Sequence, residues 1–319
     1  LPPLMHGAAQ WMAMAGLLGG GTVVFPDVVD RLDAASIWQL VDREGVQRMN
    51  LVGNAFATPL CDELERGGHS GSTLQLVGVG GAVTSASVKD RILGLLPQVV
   101  IADVAGSSET GSQLTNVSTS AAPATSGVFT PAAGTCVVAE DHRRVLEPGD
   151  PETGWLARGG AIPLGYLGDR DKTERTFPTV AGRRMSLPGD RARHRADGVI
   201  ELLGRDSVTI NSGGEKIFAE EVEDALIVHP AVRDVVVVGR PSDRWGSEVV
   251  AVVELVAGQD PTDQELLADA GQRLARYKLP KAIVRVDTVL RSPAGKADYR
   301  WAKELAVMSD SSAQKELIK

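Results

Sequence analysis

Between Gly204 and Ile217 the chain reads GRDSVTINSGGEKI, two polar Gly-rich turns around a short β-like run, Val208–Ile210. An acidic helix start follows at Ala219, Glu220 and Glu221. Before this stretch the sequence is rich in short apolar runs and glycine; after it a compact helix and strand alternation sets in. A domain boundary is expected here. The Gly213–Gly214 pair permits positive φ and lets backbone N–H groups come close to a ligand, and Arg205 offers a planar fork to phosphate or ribose oxygens. An ordinary hairpin corner satisfies the same glycine pair.

The length of 319 residues leaves room for two domains, and 43% hydrophobic content is enough to bury cores. The first apolar candidate for a membrane span is interrupted by His6, Gln10 and Gly19–Gly21, so no transmembrane segment is expected. Cys61 and Cys136 lie far apart with no metal-ligand spacing, which suggests neither a disulfide framework nor a zinc site and fits a reducing cytoplasm. A net charge of −8 without a basic block argues against nucleic acid as partner. Any anionic ligand must be held locally.

Residues 1–115 read as α/β. Strands are expected at Thr22–Phe25, Arg48–Val52, Leu74–Val79 and Val99–Val104, and helices at Ala34–Glu44, Ala55–Arg66 and Ser85–Leu95. The nearly continuous apolar strands imply a parallel sheet covered on both faces, with ligands beyond the strand C-termini. One such terminus runs into Gly80, Gly81 and Ala82, and another into Ala105-Gly106-Ser107-Ser108-Glu109-Thr110-Gly111, so both loops are expected on one rim. Glycines there let a planar base or a phosphate reach the backbone, while Ser108 and Glu109 supply hard oxygens suited to Mg²⁺. Taken alone, Glu109 reads equally well as the neighbour of a helix N-cap.

From 116 to 204 short strands alternate with Gly and Pro turns, the pattern of a small β-barrel or sandwich, with Asp190 after Gly189 and a hairpin turn at Ala196–Gly198. Residues 205–319 read as a small α+β domain with helices at Ala219–Val228 and Thr262–Arg276, strands at Asp234–Gly239, Glu248–Val256 and Ile283–Val286, and a polar tail from 307 onward.

Several segments carry a family likeness in order: LPPLMHGAAQW at the start, Gly106–Glu109, residues 154–169 (GWLARGGAIPLGYLGD), residues 186–205 (SLPGDRARHRADGVIELLGR), the Gly204–Ile217 stretch, and residues 291–300 (RSPAGKADYR). Together they resemble the adenylate-forming superfamily of acyl-CoA synthetases, luciferases and peptide-synthetase adenylation domains. The resemblance implies a partial α/β sheet subdomain and a small β-barrel followed by a mobile α+β C-terminal domain. It also implies ATP, Mg²⁺ and coenzyme A as cofactors and cosubstrates. By the same likeness Lys296 and Glu109 are catalytic, Glu109 also holding the metal. Gly80, Gly81, Ala82, Gly106, Ser107, Ser108, Asp190 and Arg205 bind nucleotide, and His6 and Trp11 line an acyl pocket. Ser212, Gly213, Gly214 and Lys216 face the CoA channel, and Ser207 is the hinge.

No carboxylate lies between Leu1 and Trp11 to pair with an ammonium, which disfavours an amino-acid substrate. An apolar carboxylic acid, fatty or steroid-derived, is the expected substrate. The implied chemistry is adenylation of that acid followed by thioester formation, with the C-terminal domain alternating about Ser207. Ser207 and Asn211 depart from the family's usual residues. The family's Ser/Thr/Gly-rich phosphate loop is not found ahead of His6, so the chain is expected to be a fragment with impaired activity. The alternative is a truncated, non-catalytic module of the same fold. An oxidoreductase is disfavoured because no GxGxxG follows a strand with an acid at the right distance. Peripheral membrane contact and homo-oligomers are left open.

Overall fold

The computed structural model describes residues 4–29, 31–292 and 295–316. Contacts divide the chain into two compact units, Leu1–Leu202 with Pro293–Lys296, and Leu203–Ser292 with Ala297–Lys319. Among the described residues no helix is long and apolar enough to cross a membrane.

The first unit opens with helices α1 (Gly7–Leu18) and α2 (Ala34–Glu44), strand β1 (Arg48–Leu51), helix α3 (Gly53–Arg66), strand β2 (Leu76–Gly80), helix α4 (Ala86–Leu95) and strand β3 (Val100–Ser107). The ends of α2 are written locally. The Asp33 side chain accepts from the Ser36 N–H, and Gly45 closes the helix at φ +62°. Ile37, Trp38 and Val41 on its buried face pack into a core with Leu60, Val77, Val79 and Ile101. The Trp38 indole N–H donates to the Leu60 carbonyl at 2.9 Å. Strands β1, β2 and β3 are parallel and adjacent, as their apolar runs require.

The expectation of a strand at Thr22–Phe25 is overturned. The segment has no ladder partner among the described residues, and Phe25 is 57% exposed. An apolar run beside three glycines lacks the covering layer that turns such a run into a buried strand.

After β3 the sheet turns antiparallel through β4 (Gly111–Ser118), β5 (Val128–Pro131), β6 (Thr135–Val138), β7 (Val145–Leu146) and β8 (Gly154–Gly159). Helix α5 (Arg170–Thr176), β9 (Thr179–Val180), β10 (Arg183–Ser186), β11 (Asp190–His194) and β12 (Ile200–Arg205) follow. The strand path runs β1-β2-β3-β4-β5-β12-β11-β8-β10-β9, with β6 beside β8 and β7 beside β6. Leu114, Phe129, Val137, Leu146, Leu156 and Ile200 fill a second core.

In the second unit a hairpin, β13 (Ile210–Ser212) and β14 (Glu215–Ile217), leads to α6 (Ala219–Leu226). Strands β15 (Val232–Ser242) and β16 (Gly246–Leu255), helix α7 (Asp263–Ala270), strand β17 (Ala282–Val286) and helix α8 (Tyr299–Glu316) complete it. The unbroken Val235–Val238 run has a clear cause. Val235 and Val237 pack with α6 and α7 residues such as Val222 and Leu266, whereas Val236 and Val238 pack with Ala302 and Ala306 of α8. Both faces of β15 are therefore covered, each buried valine contributing roughly 1.5–3 kcal/mol.

Two boundaries need correction. The helix expected over Thr262–Arg276 stops at Ala270, and a separate 3₁₀ turn occupies Arg276–Lys278. The polar tail expected from 307 is instead the continuation of α8 to Glu316.

Candidate functional site

The parallel strands place two loops side by side. Gly80 at the end of β2 stands opposite Val104 of β3, and a Cβ on Gly80 would collide with the Val104 carbonyl. Glycine is required there by the closeness of the strands. Gly81 then takes φ +79°, and the chain passes through Ala82 along the start of α3. The Asn54 N–H donates to the Val83 carbonyl at 3.2 Å, and Asn54 Oδ1 accepts from the Ser85 N–H at 3.0 Å. The Ser85 hydroxyl in turn caps α4 by accepting from the Val88 N–H.

Next to this loop β3 does not end at Val104 as expected. It runs on to Ser107 and returns as β4, so Gly106 lies in a strand opposite Ser112 and not in a loop. A Cβ on Gly106 would strike the Gly111 carbonyl across the hairpin. The glycine serves cross-strand approach, and Ala105 packs against the second core. Ser108–Thr110 form the tip. The Ser107 N–H donates to Thr110 Oγ1 at 3.1 Å and the Glu109 N–H to Ser107 Oγ at 3.2 Å, so the tip is braced from within. Glu109 is thus a turn residue, not a neighbour of a helix cap.

The Glu109 carboxylate accepts a 2.6 Å hydrogen bond from the Tyr166 hydroxyl. Burial alone would raise its pKa. The Tyr166 bond, Glu109's own N–H, the Ser107 hydroxyl and the Lys172 charge outweigh burial and hold it below the usual carboxylate range. At neutral pH the group is an anion. Among the described residues no three His, Cys, Asp or Glu side chains gather to make a metal cage. A single ionised carboxylate suits Mg²⁺ that arrives with phosphates, because that ion commonly takes one or two protein carboxylates and completes its shell with phosphate and water.

Asp190 opens β11 directly after Gly189, which takes φ +109°. Its neighbour Arg191 turns into the unit, where its guanidinium lies 4.1 Å over the Trp155 ring and pairs with Glu140. Asp197 makes the expected hairpin corner, accepting from Arg195 at 2.9 Å.

In the second unit Gly204 has φ +125°, and a Cβ there would meet the Glu220 carboxylate, which accepts from the Arg205 N–H at 3.4 Å. The strand expected at Val208–Ile210 is displaced. Asp206–Val208, with Ser207 exposed at its centre, form a 3₁₀ turn, and pairing begins only at Ile210. Gly213 and Gly214 are the two corner residues between Ser212 and Glu215, with φ +61° and +89°. Two consecutive positive φ values make a type I′ turn, which explains the pair. The Gly213 N–H donates to the Trp245 carbonyl at 2.9 Å, and Lys216 on β14 is exposed. Lys296 is exposed on the loop bridged by Arg291 and Ala297. His6 precedes α1 without capping it, and Trp11 is 48% exposed.

The family model described as AMP-binding enzyme matches residues 1–167, and that of the AMP-binding enzyme C-terminal domain matches residues 221–296. The chain belongs to the AMP-binding enzyme family. It is 56% identical over 307 residues to the medium-chain acyl-CoA ligase Mig of Mycobacterium avium, covering 96% of this chain and 56% of that protein. It is 43% identical to the 3-oxocholest-4-en-26-oate–CoA ligase of Rhodococcus rhodochrous, covering 95% of this chain and 55% of that protein. The chain therefore spans about half the length of these relatives. Among solved structures, ATP-bound MatB from Rhodopseudomonas palustris has the same fold, with a TM-score of 0.78 at 22% identity over 95% of this chain and 58% of MatB.

For this AMP-binding enzyme chain, the first unit brings Gly80–Ala82 and Gly106–Glu109 to one rim, as read from the sequence. The side chain that sequence reasoning missed is Tyr166. Its only local signal was the Gly-Tyr pair in residues 154–169, and its partner lies 57 positions away.

Proposed function

We propose that the chain carries the adenylate-handling part of an ATP-dependent acid–CoA ligase for apolar acids. The observation behind this reading is the ionised Glu109 carboxylate at a braced hairpin tip, beside Gly80–Ala82 at the C-terminal ends of adjacent parallel strands. That rim is where open α/β sheets bind nucleotides. The resemblance of the two ligases named above, one for medium-chain and one for steroid-derived acids, supports the apolar substrate.

In the first half-reaction the acid's carboxylate attacks the α-phosphorus of ATP, giving an acyl adenylate and pyrophosphate. In the second the CoA thiol displaces AMP. Gly80–Ala82 and Gly106–Ser108 line the base and phosphates, Asp190 accepts from the ribose hydroxyls, and Arg205 adds a fixed charge. Glu109 holds Mg²⁺, which neutralises phosphate charge when bound. Lys296 stabilises charge developing at the α-phosphate. His6 and Trp11 line the acyl side, and Ser212–Gly214 with Lys216 face the pantetheine arm, with Ser207 as pivot.

The test joins this chain to the portion of the Mycobacterium avium relative that it does not span, giving a completed ligase. Acid-dependent pyrophosphate release followed by CoA-dependent AMP release is expected with medium-chain and steroid-derived acids. Release that does not depend on the acid, or that prefers amino acids, would overturn the reading.

A further inference from the structure

Tyr166 is held on several sides by its own local segment. Gly165 takes φ +155°, and a Cβ there would run into the Thr173 side chain, so the backbone is pressed against α5. The Tyr166 N–H donates to Thr173 Oγ1 at 2.8 Å, and that hydroxyl donates to the Asp169 carbonyl at 2.7 Å. Asp169 caps the same helix by accepting from the Lys172 N–H at 2.9 Å. The Lys172 ammonium lies 4.0 Å over the Tyr166 ring, and the buried Phe177 ring packs 5.8 Å away. The flanking leucine side chains do none of this holding, Leu164 being 93% exposed and Leu167 wholly so, although the Leu164 carbonyl accepts from Arg184 at 2.8 Å. The loop keeps its shape through Tyr166 and α5, not by burying its aliphatic side chains.

That frame ends at one polar atom, the Tyr166 hydroxyl, and the hydroxyl ends on Oε1 of Glu109. The other bonds to that carboxylate, from its own N–H and the Ser107 hydroxyl, come from within the hairpin tip itself, and a misdirected ligand holds a metal poorly. We propose that Tyr166 is a positioning residue, its hydroxyl fixing the Glu109 carboxylate, and with it the Ser107–Thr110 tip, in the orientation that meets a metal-bound nucleotide. Lys172 and Thr173 act one step further out by fixing the Tyr166 ring and backbone. The nucleotide clause rests on the ligase reading above; the coupling of Tyr166 to the hairpin tip does not.

Two measurements on this chain, with Tyr166→Phe, Glu109→Gln and the double variant, separate these layers. The first is hydrogen exchange of the Ser107, Glu109 and Thr110 amides without ligand. Each single variant is expected to speed exchange by about tenfold, the scale of one hydrogen bond to a charged group. The double variant is expected to be no faster than either single one, because both remove the same contact. The amides of β6 and β8 are expected to stay unchanged. The second is binding of Mn²⁺·ATP, followed by the electron paramagnetic resonance of the manganese, beside binding of AMP without metal. Tyr166→Phe is expected to weaken Mn²⁺·ATP about tenfold and to leave AMP within twofold, since the hydroxyl serves the carboxylate and not the base.

Unchanged tip exchange in Tyr166→Phe overturns the proposal whatever the nucleotide result. Equal weakening of AMP and Mn²⁺·ATP overturns it too, because it would place Tyr166 in the nucleotide pocket. A parent chain that binds neither probe counts against the ligase reading, and coupled exchange in the variants would then still establish Tyr166 as the residue that fixes the tip.

Discussion

The Lys89 ammonium, fully buried on α4, lies 2.7 Å from Oδ2 of Asp103 on β3 and also donates to the Thr125 carbonyl. The pair ties α4 to the strand that carries the Glu109 hairpin. Removing one partner strands the other as an uncompensated buried charge, at a cost of about 3–5 kcal/mol. Lys89→Met is therefore expected to lower the stability of the first unit by that amount in urea unfolding. Lys89→Met with Asp103→Leu is expected to recover most of it. A double variant as unstable as the single one would mean that the pair is not what matters at this position.

Glu223 on α6 is half-buried, accepts from the Val237 N–H at 2.8 Å, and has its pKa pushed up to about 8 by desolvation and then by the nearby Glu220 charge. In the unfolded chain it ionises near 4.5. Between those values the folded unit keeps a proton that the unfolded chain has released. The contribution is intact below the unfolded pKa and is lost as pH rises toward 8, at up to about 1.4 kcal/mol per pH unit. Glu223→Gln keeps the acceptor and removes the titration. Thermal unfolding between pH 5 and pH 8 is expected to show a falling midpoint for the parent and a flatter one for the variant. Parallel curves would mean that Glu223 does not carry the dependence.

Gly106→Ala puts a methyl against the Gly111 carbonyl. Overpacking of this kind costs roughly 1–3 kcal/mol and forces the hairpin apart. Gly111 itself has φ +67° with open space around its Cβ position, so Gly111→Ala is limited to backbone strain of about 1–2 kcal/mol. Chemical-shift changes at Ser107–Thr110 are expected for Gly106→Ala and should be much smaller for Gly111→Ala. The reverse order would contradict the close-approach argument.

Lys296→Ala in the completed ligase is expected to slow acyl-adenylate formation by about 10²–10³, the usual loss of one transition-state charge stabiliser. Supplied with preformed acyl adenylate, the variant should transfer the acyl group to CoA near the parent rate. Equal loss in both half-reactions would contradict a role confined to adenylation.

Local sequence determined the elements whose signals are complete within a few residues. Asp33 and Gly45 bound α2 at Ala34–Glu44, and the Gly213–Gly214 pair is a hairpin corner because two positive φ values are cheap only for glycine. The Val235–Val238 run lies within the strand expected at Asp234–Gly239, and β2 and β3 are adjacent and parallel as their apolar runs implied. Tertiary structure decided the rest. Thr22–Phe25 has strand-forming composition but no neighbour to complete a ladder, and β3 runs on through Gly106 because β4 is there to pair with it. Whether Glu223 is desolvated, and whether Tyr166 reaches Glu109 from 57 residues away, depends on which segments the fold brings together. Hydrogen-bond partners and burial are properties of that arrangement, and hydrophobic periodicity along one segment carries no record of them.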